Sequence, residues 1–230
     1  VWDVEWGTEG FTPTGTPTND NVATNPYNLG GLSLGTSYDY YVRADCGGGD
    51  ESDWVGPFTF ATPPANDDLC DAIALTVDAT SAGDAYTNSG ATAQINEPEP
   101  GCFSNGLVGT VWFTFVAPAS GAVEVSTDIV GGTMTDTEIA VYEAPTDCAD
   151  LNTLGTELDC DQDGGDLGNG WYSVIDLTGL TPGDTYYIQV DQWNTAPTRG
   201  TFGIEVSEAT LRTASFDDNN FSFYPNPAEN

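Results

Sequence analysis

The 230 residues carry 36 acidic side chains against three basic ones, Arg43, Arg199 and Arg212, for a formal charge of −33. With no basic stripe to displace phosphate counterions, nucleic acid is excluded as a partner, and docking on anionic lipid head groups fails for the same reason. Histidine is absent as well, which excludes an imidazole-activated nucleophile and His-ligated zinc. Carboxylate chemistry, oxygen-ligated metals and non-catalytic roles stay open. Hydrophobic residues at 39% and aromatics at 11% suffice to bury one or two β cores, so the charge does not imply disorder.

The chain opens on Val1-Trp2-Asp3-Val4-Glu5-Trp6, strand-like rather than a leader, and the expectation is that it starts inside a longer polypeptide. Further strands are predicted at 38–44, 112–116, 122–126, 139–142, 186–190 and 201–206, all rich in β-branched and aromatic residues and separated by Gly, Pro, Asn and Asp. One short helical turn is expected at 69–73, with Asn66-Asp67-Asp68 supplying its N-cap. An all-β sandwich architecture follows. Thr62-Pro63-Pro64-Ala65 reads as a linker, and the polar stretch 209–220 as a second one. The pieces are therefore 1–62, 63–208, 209–220 and 221–230.

An internal echo joins the first two pieces. Gly31-Leu32-Ser33-Leu34-Gly35-Thr36-Ser37-Tyr38 and Gly179-Leu180-Thr181-Pro182-Gly183-Asp184-Thr185-Tyr186 match position for position. Both are the sequence form of a tyrosine corner, in which the hydroxyl bonds back to the backbone as a strand begins.

Five cysteines stand at 46, 70, 102, 148 and 160, and none forms a C-x-x-C pair, so zinc is not expected. Local pairing predicts disulfides Cys70–Cys102 and Cys148–Cys160, each closing a turn-rich segment, in an oxidising extracytoplasmic compartment. Cys46 is then either a free thiol or paired upstream of residue 1.

Residues 1–62, through Trp6, the Leu32/Gly35/Tyr38/Val42 corner and Trp54-Val55-Gly56-Pro57-Phe58-Thr59-Phe60, resemble the second half of a fibronectin type III domain. The resemblance implies an immunoglobulin-like half-sandwich. Residues 66–207 resemble the bacterial pre-peptidase C-terminal β-sandwich, a jelly-roll relative of CUB domains. That likeness is carried by Asn66-Asp67-Asp68-Leu69-Cys70-Asp71-Ala72, Val111-Trp112-Phe113-Thr114-Phe115-Val116, Asp136-Thr137-Glu138-Ile139-Ala140-Val141-Tyr142 and Tyr186-Tyr187-Ile188-Gln189-Val190-Asp191. Such modules accompany secreted proteases and adhesins and are not themselves catalytic. Phe221-Ser222-Phe223-Tyr224-Pro225-Asn226-Pro227 resembles the opening of a type IX secretion sorting domain, with Tyr224, Pro225, Asn226 and Pro227 as its signature. It implies export by the type IX machinery to the outer surface of a diderm bacterium.

Among the many carboxylates, Asp159-Cys160-Asp161-Gln162-Asp163-Gly164-Gly165 stands out, because alternate aspartates on a turn can converge on one hard cation. The CUB-like resemblance adds Asp136. Structural Ca2+ is therefore expected at Asp136, Asp159, Asp161 and Asp163. No catalytic residue is assigned; Glu124, Glu138 and Glu205 lie in strand runs whose alternation points them to solvent. Trp171, Tyr172 and Trp193 adjoin loops where a β-sandwich can stack on sugar rings, although core packing is the expected role of Trp112, Tyr172 and Trp193. The expected function is a non-catalytic, adhesin- or stalk-like region of a secreted, surface-displayed protein that contacts a glycan or protein. The alternative is an accessory or carbohydrate-binding module of a secreted hydrolase or protease whose active site lies upstream.

Overall fold

The structure is a computed structural model that describes residues 1–103, 106–167, 170–193 and 199–209. In chain order its strands are β1 (Trp2–Thr8), β2 (Asn19–Val22), β3 (Ser37–Ala44), β4 (Val55–Ala61), β5 (Ile73–Ala74), β6 (Tyr86–Thr87) and β7 (Val111–Val116). They continue with β8 (Ala122–Ser126), β9 (Thr137–Glu143), β10 (Glu157–Asp161), β11 (Val174–Thr178), β12 (Thr185–Gln192), β13 (Thr201–Phe202) and β14 (Glu205–Glu208). Helix is confined to two 3-10 turns, Leu69–Asp71 and Leu151–Thr153, so the all-β expectation holds among the described residues.

The first four strands form one antiparallel sheet in the order β2-β1-β3-β4. Downstream, a five-stranded sheet, β10-β9-β12-β7-β5, faces a three-stranded sheet, β11-β8-β14. Period-two alternation builds the core between them: Val111, Phe113 and Phe115 of β7, Ile139 and Val141 of β9 and Ile188 and Val190 of β12 meet Val123, Val125, Ile175 and Val206. Both tyrosine corners are present. The Ser33 amide donates to the Tyr38 hydroxyl at 2.8 Å, and the Thr181 amide to the Tyr186 hydroxyl at 2.9 Å. Removing that acceptor with Tyr186→Phe leaves the Thr181 amide unpaired and should lower stability by about 1–2 kcal/mol in urea titration.

Where local signals were weak, tertiary contacts override the expectation. The predicted run 201–206 is split into β13 and β14 at Gly203, where a Cβ would stand 2.7 Å from the Ala82 carbonyl oxygen. The turn at 69–71 has no side-chain cap; Asp67 instead accepts from the Thr92 amide at 2.7 Å, and Asn66 donates to the Trp112 carbonyl at 3.0 Å.

The largest departure lies on the outer face of the five-stranded sheet. Loops cover it, packing Leu69, Phe103 and Leu151 over Trp112, Ala140 and Tyr142. Buried polar side chains anchor these loops. Tyr142 donates to Gln189 at 2.9 Å, Gln189 donates to Glu97 at 3.0 Å, and Asp191 accepts from the Val108 and Gly109 amides at 2.7 and 2.9 Å. Burial pushes the Glu97 and Asp191 carboxyls above the usual range, against the hydrogen bonds that hold them down. Glu138, expected at solvent, is fully buried here in register with Asp191, because alternation points it outward onto a face that the loops have closed.

The same cover corrects the disulfides. All four predicted cysteines are bridged, but as Cys70–Cys148 and Cys102–Cys160, with Cα–Cα distances of 4.9 and 6.0 Å. Strand β10 is the reason: it pairs with β9 and carries Cys160 to Ala140, away from the loop that holds Cys148. Cys148 is left beside the Leu69–Asp71 turn, and Cys160 beside Cys102, whose amide it accepts at 3.1 Å. Cys46 is unpaired and exposed.

Candidate functional site

Three antiparallel strands bring the site together at one end of the five-stranded sheet. Strand β9 begins at Thr137, opposite Gln192 at the end of β12, while Asp161 at the end of β10 lies opposite Ile139. Residues just beyond these ends therefore gather around Asp136. A pocket of about 380 Å3 forms there, lined by Asp136, Gln162, Asp163, Trp171 and Trp193.

Backbone bonds fix the main chain of both tryptophans relative to Asp136. The Trp193 amide donates to the Asp136 carbonyl at 3.3 Å, and the Thr137 amide donates to the Trp171 carbonyl at 3.1 Å. Beneath them lies a hydroxyl lock of three fully buried residues, Thr127, Thr137 and Ser173. Thr127 and Thr137 share a 2.6 Å hydrogen bond, the Ser173 hydroxyl donates to the Thr137 carbonyl, and the Ser173 amide donates to Thr127 at 3.0 Å. Satisfied buried networks of this kind rigidify what they support.

Trp171 is 52% exposed and Trp193 39%, whereas Trp112 and Tyr172 are core. Core packing was expected for Trp193 and fails for a topological reason: it follows the last residue of β12, past the point where the neighbouring strands offer cover.

Only two of the four aspartates expected to bind calcium line this pocket. Asp136 and Asp163 do. Asp161 accepts from the Gly164 and Val174 amides at 2.8 and 2.9 Å, stapling its turn to β11. A Cβ at Gly164 would come 2.6 Å from that carboxylate oxygen, so a larger residue there would push the Asp161 side chain aside. Asp159 is exposed and accepts from the Cys160 amide at 2.9 Å. Among the described residues, the three carboxylates within 4.8 Å of one another are instead Asp3, Asp20 and Asp45. Asp3 is already paired there with Arg43 at 2.9 Å. The sorting signature at Tyr224, Pro225, Asn226 and Pro227 lies outside the described residues.

Burial, and after it the charge of Asp163, raise the Asp136 pKa to about 6. A raised carboxyl pKa means that the folded state resists ionisation, so stability is lost as pH climbs from about 4 through about 6 and stays lost above. The side chain is partly open to solvent, so solvent screening holds the cost to the order of 1 kcal/mol. Asp136→Asn should accordingly raise the melting temperature at pH 7.5 by a few degrees and leave it unchanged at pH 4. A lower melting temperature at pH 7.5 would show instead that the carboxylate is structural.

Comparison of the chain with protein-family models, curated proteins and solved structures gives no match.

Proposed function

We propose that this chain is a non-catalytic binding and spacing region of a larger surface-displayed protein, exported by type IX secretion. The observation that supports the reading best is the pair of crossing disulfides, Cys70–Cys148 and Cys102–Cys160, which clamp loops over the outer face of the five-stranded sheet. Staples of this kind belong to oxidising, extracytoplasmic compartments, where a small core is reinforced covalently. The rigid sandwich then presents its pocket at one sheet end while holding neighbouring segments apart. Calcium enters the proposal in reduced form, with Asp136 and Asp163 offering two carboxylates and water completing the six to eight oxygens that the ion takes. The two exposed indoles favour a second reading, an accessory module that holds a secreted hydrolase on its substrate.

Peptide mapping of protein recovered from the outside of producing cells tests the main reading. It should give the two linked peptide pairs, while free thiols at Cys70 and Cys102 would overturn it. Melting in millimolar Ca2+ should exceed melting in NaCl of equal ionic strength, and equal values would remove calcium alone.

A further inference from the structure

Two carboxylates and two partly exposed indoles share the walls of the pocket at the start of β9, with Gln162 beside them. We propose that this pocket binds an organic ammonium group, held by the charges of Asp136 and Asp163 and by the faces of Trp171 and Trp193. The inference rests on the reading of the chain as a binding module and names the ligand class of its pocket.

Charge is the first ground. Asp136 and Asp163 line one pocket together, and two carboxylates sharing a site favour a cation between them. Neither described arginine lines the pocket. Arg43 is paired with Asp3 and Glu51 and stacks over Trp54, Arg199 donates to the Val108 carbonyl, and the chain has no lysine. Among the described residues, therefore, no cationic side chain lines the pocket.

The indoles decide which cation. A tryptophan face is the best aromatic partner for an ammonium, and the contact strengthens once it is desolvated. Ca2+ would use the two carboxylates alone and compete with an ammonium for them, and a neutral sugar leaves the carboxylates unneutralised; an ammonium uses all four walls. Size agrees, because about 380 Å3 falls at the small end of ligand sites, which run from about 300 to 1,000 Å3. The backbone ties of Trp171 and Trp193 to the Asp136–Thr137 step, over the Thr127/Thr137/Ser173 lock, fix the main chain that carries the walls before binding. The ammonium could be a free quaternary amine or the tip of a lysine side chain on a protein partner.

Titration of the whole chain in 150 mM NaCl, followed by tryptophan fluorescence, separates these cases. The ligands are choline, its uncharged carbon isostere 3,3-dimethylbutan-1-ol, and N-acetyl-lysine methylamide. Saturable binding of choline or the lysine derivative is expected, with the neutral isostere at least tenfold weaker; the tighter of the two cations assigns the source. Asp136→Asn and Trp193→Ala should each weaken binding at least tenfold, and Asp176→Asn, an exposed aspartate on β11, should not. Equal binding of the isostere, or equal weakening by Asp176→Asn, would overturn the proposal as apolar or non-specific. Binding of Ca2+ or a neutral oligosaccharide with no response to either cation would overturn it too, while leaving the binding-module reading intact.

Discussion

Removing the Cys70–Cys148 bridge with the paired change Cys70→Ser and Cys148→Ser should lower the unfolding free energy by about 3–4 kcal/mol. The bridge spans 78 residues, so its loss frees a long closed loop in the unfolded chain, and loop-closure entropy grows with the logarithm of that length. The second bridge, Cys102–Cys160, starts inside that loop and ends outside it. The two loops therefore interlock, and opening both should cost less than twice the single loss. Urea unfolding of the wild type, both paired serine variants and the fourfold variant measures this. A single loss below about 1 kcal/mol would mean that packing of Leu69, Phe103 and Leu151 on Trp112 and Tyr142 holds the loops without the staple. Non-reducing peptide maps give an independent check, since the sequence-local pairing and the observed pairing yield different linked fragments.

Phe113→Ala should cost about 3–5 kcal/mol, the range for truncating a buried phenylalanine. Its ring is fully buried on β7, meets Tyr86 edge-on at 4.9 Å and Phe202 at 6.1 Å, and sits in register with Ile73. It thus joins the five-stranded sheet to the β6–β13 pair, and none of these neighbours can collapse into the space without moving a strand. Phe58→Ala provides the contrast. That ring lies on β4, is 43% exposed and packs on Tyr40, so about 1 kcal/mol is expected. Similar losses for the two variants would contradict the placement of the core between the two downstream sheets.

Much of this architecture was legible beforehand, because β structure writes its own residue preferences into the chain. Runs rich in β-branched and aromatic residues between turn residues marked β3, β7, β8, β9 and β12, and the Leu-x-x-Gly-x-x-Tyr spacing marked both corners, since each depends only on residues a few positions apart. The site was half visible. Asp136 and Asp163 were named, but the spacing that linked Asp163 to Asp159 and Asp161 could not show that Asp161 would be taken up by the Gly164 and Val174 amides.

By itself, then, the sequence determined strand content, the two tyrosine corners, the identity of the bridged cysteines and an overwhelming negative charge, all of which are local or additive properties. Only the tertiary structure decided how those cysteines pair, that the outer face of the five-stranded sheet is covered and Glu138 buried, and that Trp193 stands open beside Asp136. Each of those depends on which strand lies beside which, and strand neighbours such as β9 and β12 are brought together by the cooperative packing of the whole sandwich rather than by any short stretch of chain.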